Sequence, residues 1–160
     1  MPIPAEALEL ENRSGGVHGE PTLAAAYDIL KRCWRGGDRD RELALHLFFI
    51  SWYGLVEPLH LTGFENRLDM SEDLNEMLAE AHAYLEPRMS NDAEVLYVTG
   101  LAAHLFWFMF EDSETWRQRS IEYRTDYRML APNGIDPSVF HNRGAYGRYY
   151  AHQAAVKNGY

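Results

Sequence analysis

The residues of this 160-residue chain that could do chemistry are seven histidines (positions 18, 46, 60, 82, 104, 141 and 152), one cysteine, and an Arg- and Tyr-rich stretch near the C-terminus. The histidines do not pair at metal-ligand spacing and there is no H-E-x-x-H, so no metal or other cofactor is expected. Glu42 and His46 stand four apart, as do Glu76 and Glu80, and both pairs read as solvated partners on a helix face. Cys33 beside Trp34 falls on an apolar stripe and reads as a buried structural thiol rather than a nucleophile. The run Leu130 to Gly134, LAPNG, is a turn; it lacks the Gly-rich stretch and Lys of a phosphate loop. The stretch His141–His152, HNRGAYGRYYAH, holds two Arg, two His, three Tyr and two Gly. Arg and Tyr dominate binding hot spots, and Arg143 with Arg148 could grip a carboxylate. The competing reading is that these Tyr residues pack a last helix onto its neighbour while the Arg residues close local ion pairs.

Helices must position these groups. Leu23, Ala26, Tyr27, Leu30 and Trp34 recur at helical spacing after Thr22, a candidate cap, and Gly36-Gly37 ends that helix. Asp38 or Asp40 can cap a second helix over 39–57, apolar on most faces and stopped by Pro58. After a loop, Asp69 or Ser71 caps a third, striped by Leu74, Met77, Leu78, Ala81 and Leu85. Residues 93–110 form another helix apolar nearly all round, broken only by Glu94, Thr99 and His104. The next, 113–131, carries one stripe: Trp116, Ser120, Tyr123, Tyr127 and Leu130. A last helix is expected over 138–156. No segment alternates as a strand would, so the fold is predicted to be all-α. Residues 1–20 read as a flexible tail, with a short helix over 5–12 at most, and 21–157 as a single helical domain.

Charge and composition exclude several function classes. The net charge is -9, with 8 Lys+Arg against 20 Asp+Glu in residues 1–112 and 7 against 4 in 113–160. Such a balance argues against general nucleic-acid or anionic-membrane binding and suits a basic partner. The most apolar segments fall short of the roughly 20 residues that span a bilayer. With one cysteine and no secretory signal pattern over the first sixteen residues, a cytoplasmic setting is expected.

The helices alternate in kind, and the internal Gly54, Gly100 and Gly144 recur at intervals of about 45, as do Leu85-Glu86-Pro87 and Leu130-Ala131-Pro132. A helical hairpin repeated at that period is the pattern of an α-solenoid. On Tyr123 to Pro132, YRTDYRMLAP, and Asn142 to Tyr149, NRGAYGRY, the chain resembles the tetratricopeptide-like family over roughly 40–156. The units run some ten residues longer than that family's, and its signature Trp is replaced by Leu96 and Phe140. The resemblance implies stacked antiparallel hairpins (the alternative being an irregular helical bundle) whose first helices line an inner, ligand-facing surface. Carried onto this chain, it implies Tyr97, Leu101 and His104 from one first helix and His141, Ala145, Arg148 and Tyr149 from the next.

The expected function is a non-enzymatic interaction module, such as a bacterial immunity or adaptor protein, holding a basic protein or peptide in a helical groove. The alternative is a small-molecule binder or enzyme, with His104, His141 and Arg148 converging on an anionic ligand for acid–base work. Self-association through the aromatic face of the last helix is a third reading.

Overall fold

The computed structural model describes residues 3–15, 19–67 and 70–156. Eight α-helices occur among them: α1 (Ala5–Arg13), α2 (Leu23–Arg35), α3 (Arg41–Val56), the single-turn α4 (Leu59–Thr62), α5 (Met70–Leu85), α6 (Ala93–Phe106), α7 (Ser113–Leu130) and α8 (Gly144–Val156). No strand occurs among the described residues, and no helix there is long and apolar enough to cross a membrane. The protein is all-α. Asp69, one of the two caps expected for α5, and His18 lie outside the described residues, as do residues 157–160.

Local sequence explains the helix starts. Asp40, Asp92 and Asp112 each accept a hydrogen bond from the backbone N–H three residues on, Leu43, Val95 and Thr115. Thr22 does not cap α2. Its hydroxyl donates instead to the Leu10 carbonyl at 2.5 Å, tying the first linker back onto α1.

Helices α3 and α6 are apolar all round because they are enclosed. Helix α5 packs on α3 and α7 on α6, while α3 also meets α2, α6 and α8. The unbroken run Leu43–Ile50 is buried, and each large side chain so removed from water contributes about 1.5–3 kcal/mol. Helices α5 and α7 are bridged as well: His82 Nε2 and the Tyr123 hydroxyl share a hydrogen bond of 2.7 Å, and Trp116 packs edge-on against the same imidazole. Burial, with the charge of Arg119, pushes His82 down to about 4, so the imidazole in that bond is neutral.

Four expectations require correction. Residues 5–13 are not part of a flexible tail: α1 packs on α2 and α8, with Ala7 and Glu11 buried, so the helical body begins there rather than at residue 21. The helix expected over 93–110 stops at Phe106, where φ -137° and ψ 27° leave the helical region, and a 3-10 turn over Trp107–Met109 follows. The last helix does not run from 138. A 3-10 turn (Pro137–Phe140) is separated from α8 by residues 141–143, and Asn142 and Gly144 are both at positive φ. Gly144 therefore opens α8 instead of lying inside a helix. On α7 the stripe holds for Trp116, Ser120, Tyr123 and Tyr127, but Leu130 is exposed.

Gly54 marks the close approach in the α3–α5 pair. A Cβ built there would stand 2.9 Å from both Leu74 Cδ1 and Phe64 Cε2. Gly54→Ala gains about 1 kcal/mol of helix propensity but overpacks a filled site at a cost of about 1–3 kcal/mol. Urea denaturation is expected to show a net loss, because a leucine and a buried ring must both move. An unchanged or raised midpoint would mean that the contact is slack.

Candidate functional site

The strongest concentration of polar chemistry lies where α1, α3, α6 and α8 meet. Glu11 and His46 are both fully buried, and His46 Nδ1 bonds Glu11 Oε2 at 2.7 Å. Its Nε2 bonds Glu42 Oε1 at 3.1 Å. A neutral imidazole has only one N–H and would turn a lone pair toward one of these carboxylates; the imidazolium satisfies both. Burial alone would expel the proton, but the charges and hydrogen bonds of Glu11 and Glu42 outweigh it and raise His46 to about 9.

The chain of charges continues across the first turns of α3 and α6. Arg143 donates to both oxygens of Glu42, Nε to Oε1 at 2.8 Å and Nη2 to Oε2 at 2.5 Å. Its Nη1 pairs with Glu94 at 2.5 Å. Arg41 bonds Glu94 at 2.7 Å and spans Asp92 at 2.7 and 3.1 Å. Signs thus alternate from Glu11 through His46, Glu42, Arg143, Glu94 and Arg41 to Asp92. The buried Tyr146 closes the cluster. Its hydroxyl donates to Glu94 at 2.6 Å, its ring stacks on His46 at 4.9 Å, and the Arg143 guanidinium lies 4.9 Å from the ring centre. For Glu42, burial would raise the carboxyl, yet hydrogen bonds from His46 and Arg143 bring it down to about 2.

Gly144 makes this closure feasible. Its φ is +67°, and a Cβ there would sit 2.7 Å from Glu11 Oε1, the oxygen that accepts the Tyr146 N–H. The cluster accordingly pins α1 and α8 to the central helices. It offers no substrate chemistry, since His46 is sealed from solvent and its two ring nitrogens are both committed.

The residues singled out from sequence are distributed as follows. Tyr97 and Leu101 are core: Tyr97 packs against Tyr127, Phe140 and Tyr150, and meets only the floor of a cavity of about 690 Å³ under the loop Ala131–Pro137. His104 is half-buried at the end of α6, lowered by burial and by Arg124. His141 is exposed. Arg143 closes the ion chain rather than awaiting a ligand. Arg148 donates through Nη2 to the carbonyls of Glu11 (3.0 Å) and Ser14 (2.5 Å), capping the C-terminal end of α1 where its dipole favours a cation. Ala145 is buried, and Tyr149 packs against Trp52 and Tyr53.

Ala145, Arg148 and Tyr149 do share one cavity of about 360 Å³ with Tyr53 and Leu61. Arg148 and His141 share another. His104 borders neither, so the trio that acid–base chemistry would need does not converge. Among the described residues, no three His, Cys, Asp or Glu groups are placed to hold a metal ion.

Comparison with protein-family models, curated proteins and solved structures returns no match.

Sequence reasoning missed Glu11, Arg41, Asp92 and Tyr146 as partners, and it placed the Glu42–His46 pair in solvent. One signal was available. Glu42, His46 and Glu94 are among the few polar residues on the two most apolar helices, and a charge on such a helix needs a buried counter-charge.

The cluster sets a pH dependence. His46 has a folded pKa raised from 6.5 to about 9, so its stabilisation is complete below 6.5 and is lost as pH rises through about 9. Wild type should exceed His46→Gln in stability by on the order of 3 kcal/mol at pH 6, with the gap shrinking toward pH 9.5 in urea denaturation. A gap that is flat or widens with pH would show that His46 is neutral in the fold.

Proposed function

We propose that the protein is a non-enzymatic interaction module acting in the cytoplasm, of the immunity or adaptor kind, that binds a basic protein or peptide. The observation that carries this reading is the uncompensated acid on its surface. Glu6, Glu65, Glu72, Glu86 and Glu111 are exposed and have no ion-pair partner among the described residues. By contrast, the carboxylates of α1, α3 and α6 that face inward are all neutralised by His46, Arg41 and Arg143. Surface charge left unpaired contributes little to stability, whereas it accelerates encounter with an oppositely charged partner.

The packing of first helix on first (α3 with α6) and the side-chain bridge of second to second (His82 of α5 with Trp116 and Tyr123 of α7) support a tetratricopeptide-like stack. In such a stack the inner face would bind the ligand. Here α8 and α1 fill that place themselves, with Tyr146, Tyr149 and Tyr150 lying on Phe49 and Trp52. The interaction surface is therefore sought outside the groove that the family resemblance implied.

Affinity capture from the native host's lysate, at low and then high salt with mass spectrometry of the retained material, tests this reading. A stoichiometric basic protein is expected, retained at low salt and released as salt screens the contact. If nothing is retained while small anions raise the Tm, a ligand pocket replaces the interaction surface.

A further inference from the structure

One stretch of apolar surface has no role in the fold. Among the described residues, Leu59 (40% exposed) and Leu61 (56%) follow the end of α3, and Phe108 (58%) and Met109 (45%) follow the end of α6, two helices whose last turns meet through Trp52 and Phe106. A run of rings through the buried Trp52 links Phe108 to the cavity that Leu61 lines. Phe108 meets Phe106 at 6.2 Å, Phe106 meets Trp52 at 5.7 Å, and Trp52 meets Tyr53 at 6.0 Å and Tyr149 at 5.4 Å. Tyr53 and Tyr149 then border the same cavity as Leu61. The other exposed apolar residues have different surroundings: Ile121, Met129 and Leu130 lie on α7 among Arg117, Thr125 and Arg128, while Val139 and Val156 belong to the C-terminal segment.

The charge at the rim of the ledge selects its occupant. Glu57 directly follows α3 and raises both Tyr53 and Tyr149, so it stands beside them. Glu111, Asp112 and Glu114 directly follow the Phe108–Met109 turn and are exposed. The cations near the ledge are engaged, Arg124 beside His104 at the end of α6. Arg117 lies over the Trp107 ring and pairs loosely with Glu114 at 3.9 Å, while Arg148 is bound by the α1 carbonyls. Aromatic anchors inside a carboxylate rim fit a helix with apolar residues on one face and Lys or Arg on its flanks.

We infer that the ledge formed by Leu59, Leu61, Phe106, Phe108 and Met109 is the docking surface for a basic amphipathic helix of the partner protein. The inference rests on the proposed interaction function and specifies its surface. Phe108 and Met109 supply the apolar contact, and Glu57 and Glu111 fix orientation and hasten association.

A synthetic peptide of about 18 residues, with Leu at i, i+3, i+4 and i+7 and Lys elsewhere, is the probe; its Glu-for-Lys counterpart is the control. The Lys peptide is expected to bind the full chain and to shift the backbone amides of residues 59–61 and 106–111. Phe108→Ser with Met109→Ser should weaken binding about tenfold or more with an unchanged Tm, since both positions are solvent-facing. Ile121→Ser with Met129→Ser should bind as wild type. Glu57→Gln with Glu111→Gln should flatten the salt dependence.

Equal binding of the Lys and Glu peptides, or full affinity in the Phe108/Met109 variant, would overturn the assignment. So would phosphatidylcholine-vesicle binding, or a wild-type dimer, that this variant abolishes; the ledge would then be a membrane or self-association face. If the variant still retains the basic lysate protein at full strength, the ledge is wrong while the interaction reading stands. If wild type retains no basic protein, the interaction reading falls and the ledge falls with it.

Discussion

The contact between Glu11 and His46 is the constraint on which the rest of the molecule depends. A carboxylate and an imidazole, both sealed from water, are tolerable only when bonded to each other, and the second carboxylate, Glu42, favours the charged imidazolium. Glu11 sits on α1 and His46 in the middle of α3, so the pair fixes where the N-terminal helix must lie. The remaining bonds of each group extend the constraint: Glu11 accepts from the Tyr146 N–H at the start of α8, and His46 reaches Glu42, which holds Arg143. Buried ion pairs of this kind add little net stability compared with apolar packing, because desolvation offsets their attraction. Removing one partner is another matter, since an unpaired buried charge costs several kcal/mol. The cluster therefore acts less as a source of stability than as a selector of a single arrangement for α1 and α8.

That selection has a functional consequence. With α8 held by Arg143 and Tyr146, its aromatic side covers the face of α3 that a solenoid would present to a ligand. The Arg- and Tyr-rich sequence, so suggestive of a hot spot, is spent on internal packing. What remains for the proposed interaction is surface the core does not use: exposed carboxylates and the apolar side chains that follow α3 and α6.

Helix positions were legible where the cause is local. Asp40, Asp92 and Asp112 cap helices by reaching three residues ahead, and the period of Trp116, Ser120, Tyr123 and Tyr127 needs no knowledge of the partner helix. The site was less legible because its causes are distant. Glu11 meets a histidine 35 positions away, and Arg143 meets a glutamate 101 positions away. Nothing within the acidic segment AEALELENR distinguishes Glu11 from Glu6 or Glu9, which face solvent. Gly144 misled for a related reason. Its spacing matched a helix-interior repeat, whereas its role is to take a positive φ beside a carboxylate from the other end of the chain.

The central claim is that a charged His46 holds the helices together. Long-range proton–nitrogen NMR of the imidazole at pH 7.5 tests it most directly, because it reads the protonation of both ring nitrogens without perturbing the fold. The account predicts that Nδ1 and Nε2 both carry protons, and that deprotonation follows only as pH approaches about 9. A single protonated nitrogen at pH 7.5, with the fold intact, would contradict it.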